Sequence, residues 1–217
     1  MEIPRMNLTF PIVCMPWLMR AMELRIDVNQ PHTEIANELE AIRRRLHRRG
    51  DALYGIPEIP VDFEGLVFRY READGEHYVY VEDPARHCVA GYTVFNRLIE
   101  VNRKADRHLR APHSKYAPAY QRRGIATAIY RWWLDAGHCL ITGARQSAGA
   151  NALWHSLGQR YDLFYVDLRD KTLRYLGHQV DDAVHEDLAT RMILLGKGCQ
   201  FSEFAQRSGM LVPVEKT

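Results

Sequence analysis

Between Tyr116 and Ala126 the sequence reads Tyr-Ala-Pro-Ala-Tyr-Gln-Arg-Arg-Gly-Ile-Ala. Pro118 has no N–H to give to a ladder, so a strand arriving from the N-terminal side stops there. Ile125 then opens an apolar run with helical spacing through Tyr130, Trp133 and Leu134. A glycine at the head of such a helix lets the backbone approach a ligand closely, and the first-turn N–H groups have no partner inside the helix. Those free donors and the positive end of the helix dipole suit a phosphate or pyrophosphate. Arg122 and Arg123 stand within the turn and are able to add charge-assisted contacts.

Spacing narrows this chemistry. Gln121, Gly124 and Ala126 fit the pattern Gln/Arg-x-x-Gly-x-Gly/Ala, with Pro118 and Tyr120 just before it. On these residues the chain resembles the GNAT superfamily of acyl-coenzyme A-dependent N-acyltransferases. The resemblance implies that acetyl-CoA is the acyl-donor substrate. Its pyrophosphate would lie on the segment Gln121, Arg122, Arg123, Gly124, Ile125, Ala126 and Thr127. Its pantetheine arm would add like a strand to the backbone of Ser114 and Tyr116, where two strands of the sheet part. A backbone N–H near Ser114 would polarise the thioester carbonyl, a kind of contact that lowers barriers by roughly 3 kcal/mol.

In such a mechanism the acceptor amine attacks directly, without a cysteine nucleophile. An amine with a pKa near ~10.4 must first lose a proton, so a general base is expected. His113 and Glu82 are candidates, with His108 and Glu72 as further ones. The family's Asn-x-x-Ala-x-x-Leu-Tyr helix is matched by Ser147, Ala150, Leu153 and Trp154. Ser147 would then replace the asparagine that bonds pantetheine. Trp154 replaces the tyrosine acid, and its indole N–H is a donor but not a useful acid. Tyr161 is a substitute acid, or the thiolate leaves without one.

The implied activity is acetyl transfer to a primary amine of an unidentified acceptor, a small molecule or a protein. Two alternatives stand beside it. Trp154 would suit an acyl-CoA-binding module without catalysis. Nine Lys/Arg between Arg97 and Arg131, against only Glu100 and Asp106, would suit an enzyme acting on aminoacyl-tRNA. Nucleic acid is the less favoured partner, because the net charge is only +2 and carries no global field. A homodimer is compatible with the sequence.

The elements that must position these residues follow from periodicity. Met22 to Val28 alternates as a strand, and Thr33 to Arg49 has the one-sided spacing of a helix that ends in arginines before Gly50. Asp51 to Asp62 is a loop. Gly65–Arg71 and His77–Glu82 read as strands joined through Asp74-Gly75, followed by Cys88–Phe95. Asn96 to Arg110 is polar, and periodicity does not decide it. Ala111–Ala117 feeds the turn, Ile125–Ala136 is helix, His138–Thr142 strand, Ser147–Leu157 helix. Leu163–Leu168 and Thr172–Leu176 pair across Asp170-Lys171. From Asp181 the chain is helical in flavour and ends in an unpatterned tail.

The sum is a single α+β domain over 1–217, with a mixed, mostly antiparallel central sheet flanked by helices and strands splayed at the acyl-CoA site. Its core is expected over about 22–176, with an N-terminal segment and a C-terminal extension outside it. The 217 residues, 47% apolar and 26% charged, fit a globular domain. Four scattered cysteines lack metal or disulfide spacing, so reduced thiols and no metal are expected. Leu8 to Met19 is apolar but short and holds Pro11 and Pro16, which favours a buried segment over a membrane or targeting one. A cytoplasmic, bacterial protein is the expectation.

Overall fold

The computed structural model describes residues 32–213. The predicted strand at Met22–Val28 and the apolar segment at Leu8–Met19 lie outside them. The described chain begins with helix α1 (His32–His47). Three antiparallel strands follow: β1 (Val67–Ala73), β2 (Glu76–Asp83) and β3 (Cys88–Asn96). A short helix α2 (Arg103–Asp106) leads into β4 (Leu109–Tyr116). After the turn come α3 (Ile125–Asp135), β5 (Cys139–Ile141) and α4 (Ala148–Gly158). The hairpin β6 (Leu163–Arg169) and β7 (Thr172–Gly177), helix α5 (Asp182–Glu186), strand β8 (Thr190–Leu194) and helix α6 (Phe201–Ser208) complete it.

One eight-stranded sheet runs β1-β2-β3-β4-β5-β8-β6-β7. Among the strands of the described residues, β4 with β5 is the one parallel pair, and Arg174 of β7 adds an isolated parallel bridge to Leu211. Strand alternation assigns the two faces. Val79, Val81 and Phe95 point to the face covered by α3 and α4, where Ile125, Ile129, Trp133 and Leu134 are buried with Trp154 and Leu157. Tyr80, Tyr92 and Val94 point the other way and pack under Leu39 and Leu46 of α1. Farther along that second face, α6 lays Phe204 over Phe164, Leu173 and Ile193.

The hairpins form where the sequence predicts them. Asp74 (φ 56°) and Gly75 (φ 76°) both take the left-handed conformation of a tight two-residue turn, as do Asp170 and Lys171. The undecided Asn96–Arg110 region is organised by side chains. Asn102 caps α2 by accepting from the Lys104 and Ala105 amides, and the buried Asp106 accepts from the Leu98 amide and from Arg97.

The expectation for the C-terminal forty residues needs correcting. Thr190–Leu194 is a central strand inserted between β5 and β6, and α6 seals the second core, so the packed domain continues well past residue 176. Arg-Met-Ile-Leu-Leu is buried on both faces. A continuous apolar run of that kind carries no period by which to tell strand from helix.

Gly91 shows how tightly β3 meets β4. A Cβ there would sit 2.2 Å from the Tyr116 ring and 2.4 Å from the Lys115 carbonyl oxygen. Gly91→Ala is expected to cost about 2–3 kcal/mol through this overpacking, measured as a lower urea midpoint with an unchanged m-value.

Candidate acyl-coenzyme A site

Strands β4 and β5 are paired at two positions only, Leu109 with Cys139 and Arg110 with Leu140. Beyond Arg110 they part, while β4 stays paired with β3 from Ala111 to Tyr116. Residue 112 supplies the physical reason. Pro112 has no N–H, so the ladder toward β5 cannot continue there. The Ala117 amide donates to Ala90 of the β3 side at 2.9 Å. Because backbone direction alternates, Ala111, His113 and Lys115 also address β3, and Pro112, Ser114 and Tyr116 address the gap. An open strand edge with the Ser114 and Tyr116 N–H groups therefore faces the space between the strands. The Tyr116 carbonyl is already taken, accepting from the Gln121 side chain at 3.0 Å.

At the top of that edge the chain makes one 3-10 turn, Pro118–Tyr120, and reaches Gly124, which precedes α3 with φ 84°. Arg122 is also left-handed (φ 56°). Such reversals gather successive amides into an anion-binding concavity. The first bond of α3 runs from the Ala128 amide to the Gly124 carbonyl at 3.0 Å. Among the described residues the amides from Arg122 to Thr127 donate to no protein acceptor. A Cβ on Gly124 would meet nothing within 4 Å, so the space over the turn is open.

Tyr120 holds the turn in place. It is buried and donates to Asp83 at 2.7 Å, while Arg123 lies over its ring at 5.4 Å. Arg122 and Arg123 are exposed, and neither has a carboxylate partner among the described residues. Of the wider basic excess, Arg97 and Arg110 are drawn to Asp106, and Lys115 to Glu38 of α1 at 3.2 Å.

The predicted catalytic residues separate. His113 stays beside the gap, on the α1 face of β4, opposite Ser114. Burial holds its imidazole below the usual range, Lys115 pushes the same way, and Glu38 opposes them. Glu82 is not at the gap. It lies two strands away on β2, buried between Arg69 and His47, whose Nε2 is at 3.0 Å, so both of its carboxylate oxygens are engaged. Tyr161 is displaced as well. Its hydroxyl donates to Asp135 at 2.9 Å, at the far end of α3, about 15 Å from the turn at 1.5 Å per residue. His108 is at the opposite end of β4, and Glu72 is exposed on the edge strand β1. Ser147 caps α4 by accepting from the Ala150 amide at 3.2 Å, and Trp154 is buried in the core.

Sequence reasoning missed a chain of hydroxyls under the gap. Ser114 Oγ lies 2.7 Å from Thr93 Oγ1 and 3.4 Å from the Tyr130 hydroxyl, and Thr93 Oγ1 is 2.9 Å from the Tyr116 hydroxyl. Burial pushes Tyr130 up to about 12. Ser114 and Tyr116 are two apart on one strand, but nothing local in the sequence pairs them with Thr93 or Tyr130. No group of metal-ligating side chains occurs among the described residues, and no helix there is long and apolar enough to cross a membrane.

Neither a family model nor a curated protein matches the sequence. Solved structures that match it include acetyltransferases. A GNAT-superfamily phosphinothricin acetyltransferase from Sinorhizobium meliloti, in complex with AcCoA, is 22% identical at a TM-score of 0.36 over 57% of this chain and 63% of its own. RimL, a ribosomal α-N-protein acetyltransferase in complex with coenzyme A, is 11% identical at 0.33 over 55% and 60%. A chimeric spermidine N-acetyltransferase, SpeG, from Vibrio cholerae is 16% identical at 0.35 over 82% and 96%. The chain thus spans under two thirds of the first two.

Coenzyme A at a hundredfold excess over its dissociation constant is expected to stabilise the protein by about 2.7 kcal/mol, read as a rise in Tm. Arg122→Glu should remove the rise, and Arg44→Glu, on exposed α1, should keep it. An equal rise in both variants would place the ligand elsewhere.

Proposed function

We propose that this chain transfers the acetyl group of acetyl-CoA to a primary amine. The observation that carries the proposal is the continuity of two features: an unpaired strand edge at Ser114 and Tyr116, running straight into six unpartnered amides at the head of α3. An extended amide-bearing arm ending in a pyrophosphate is complementary to both at once.

The polypeptide's part in the reaction then follows. The amides from Arg122 to Thr127 and the guanidinium of Arg122 hold the pyrophosphate. The Ser114 and Tyr116 main chain aligns the arm as an added strand. One of those fixed N–H groups polarises the thioester carbonyl and stabilises the oxyanion as the amine adds. The coenzyme arm occupies the α3 side, so the amine approaches from the α1 face, where His113 takes its proton directly or through water. Collapse of the tetrahedral adduct breaks the carbon–sulfur bond. The thiolate receives a proton from Tyr130 relayed by Ser114, both hydroxyls carrying their protons at neutral pH. The products are the N-acetyl amine and free coenzyme A.

Two outcomes are expected. Tyr130→Phe should lower kcat for thiol release by roughly 10²-fold, the low end of general acid–base contributions, with little change in KM for acetyl-CoA. If kcat is unchanged, Tyr130 is not the donor.

The base must be neutral to act, so kcat/KM should rise with pH through an inflection below the ordinary ~6.5 of histidine. Lys115→Met removes a cation that depresses His113 and should move that inflection upward. A shift downward, or a pH-independent rate, would remove His113 from the mechanism.

A further inference from the structure

A cavity of about 300 Å³ opens at the other end of β4, where the strands are closed rather than parted. Three separate stretches of chain line it: Arg107 and His108 before β4, Gly137 to Cys139 between α3 and β5, and Lys197 to Arg207 around the start of α6. Its floor is dry, since Cys139 and Phe204 are buried. Its rim carries Arg107, Lys197 and Arg207, with the imidazoles of His108 and His138 between them. Glu203 is the only carboxylate in the lining, and it is occupied by Arg207 at 3.4 Å. Arg107 and Lys197 have no carboxylate partner among the described residues.

This gathering of like charge is costly as it stands. Burial depresses both imidazoles, Arg207 and Arg107 depress His108 further, and Arg110 acts on His138. Folded chains offset such repulsion with carboxylates, as Asp106 does for Arg97 and Arg110 nearby. Here one paired carboxylate faces three cations and two imidazoles over a low-dielectric floor, where an entering anion interacts more strongly than in water. Gly198 (φ 82°) leaves the mouth open, because a Cβ there would meet nothing within 4 Å. We infer that this cavity is a second anion site, which takes a small phosphate-bearing compound independently of the coenzyme turn. The two sites are separated by the length of β4, about 23 Å for eight residues, so one coenzyme pyrophosphate does not account for both.

The test is a titration of the full chain, saturated with coenzyme A, followed through the histidine ring NMR signals. Inorganic pyrophosphate and glycerol phosphate are added separately, with sodium chloride at matched ionic strength as reference. Saturable shifts confined to His108 and His138 are expected, and Lys197→Glu should weaken them about tenfold or more. Response to pyrophosphate alone assigns a condensed phosphate; response to both assigns the phosphate ester class. Lys197 is exposed, so its replacement leaves the core intact, and Arg107→Glu provides a second exposed variant. The same titration of Arg122→Glu, which disables the coenzyme turn, should give the wild-type response. Shifts equal to those in sodium chloride, or unchanged in both Lys197→Glu and Arg107→Glu, overturn the inference.

Discussion

A proline inside a paired strand governs this molecule. Pro112 sits in β4 opposite Phe95, and its ring nitrogen faces away from β3. The strand keeps its ladder on one side and cannot extend it on the other. In a sheet with helices on both faces an unpaired strand edge is a liability, because bare N–H and C=O groups invite any strand of suitable length. Here the invitation is narrow. Leu109 and Arg110 close the gap at one end, and the left-handed turn at Arg122 and Gly124 bounds the other. An occupant must be extended, amide-bearing and anionic at one terminus.

The alternation of β4 gives that occupant two chemically distinct neighbours. Ser114 and Tyr116 turn their hydroxyls toward α3 and join Thr93 and Tyr130 in one hydrogen-bonded set. His113 and Lys115 turn toward α1, where burial and the neighbouring cation hold the imidazole below its usual range. Hydroxyls and imidazole are thereby held one residue apart on opposite faces by backbone geometry alone. No side chain has to be stretched or strained to separate them.

Much of this was legible in the sequence. The turn could be read from Pro118, Gly124 and the apolar spacing after Ile125, because proline and glycine restrict the backbone locally. The hairpins at Asp74-Gly75 and Asp170-Lys171 are visible for the same reason. Where the sequence and the fold part, the reason is shared. The sequence marks Glu82 and Tyr161 by residue type alone, and only the tertiary fold reveals that Arg69, His47 and Asp135 engage them. The hydroxyl chain joins residues from two strands and a helix, so no window of sequence contains it. β8 escaped because a strand buried on both sides has no polar face to mark its period.

That last strand also has a bearing on how the chain assembles. β5 and β6 are not neighbours; β8 lies between them and hydrogen-bonds to both. One wall of the gap between β4 and β5 therefore gains its outer support from residues made some fifty positions later. During synthesis β1 to β4 have all their antiparallel partners early, whereas the β5 side waits for the final fifth of the chain. The half that carries the turn before α3 is built from local contacts, and the half that forms the other wall of the gap is built from distant ones, the kind whose closure is slow.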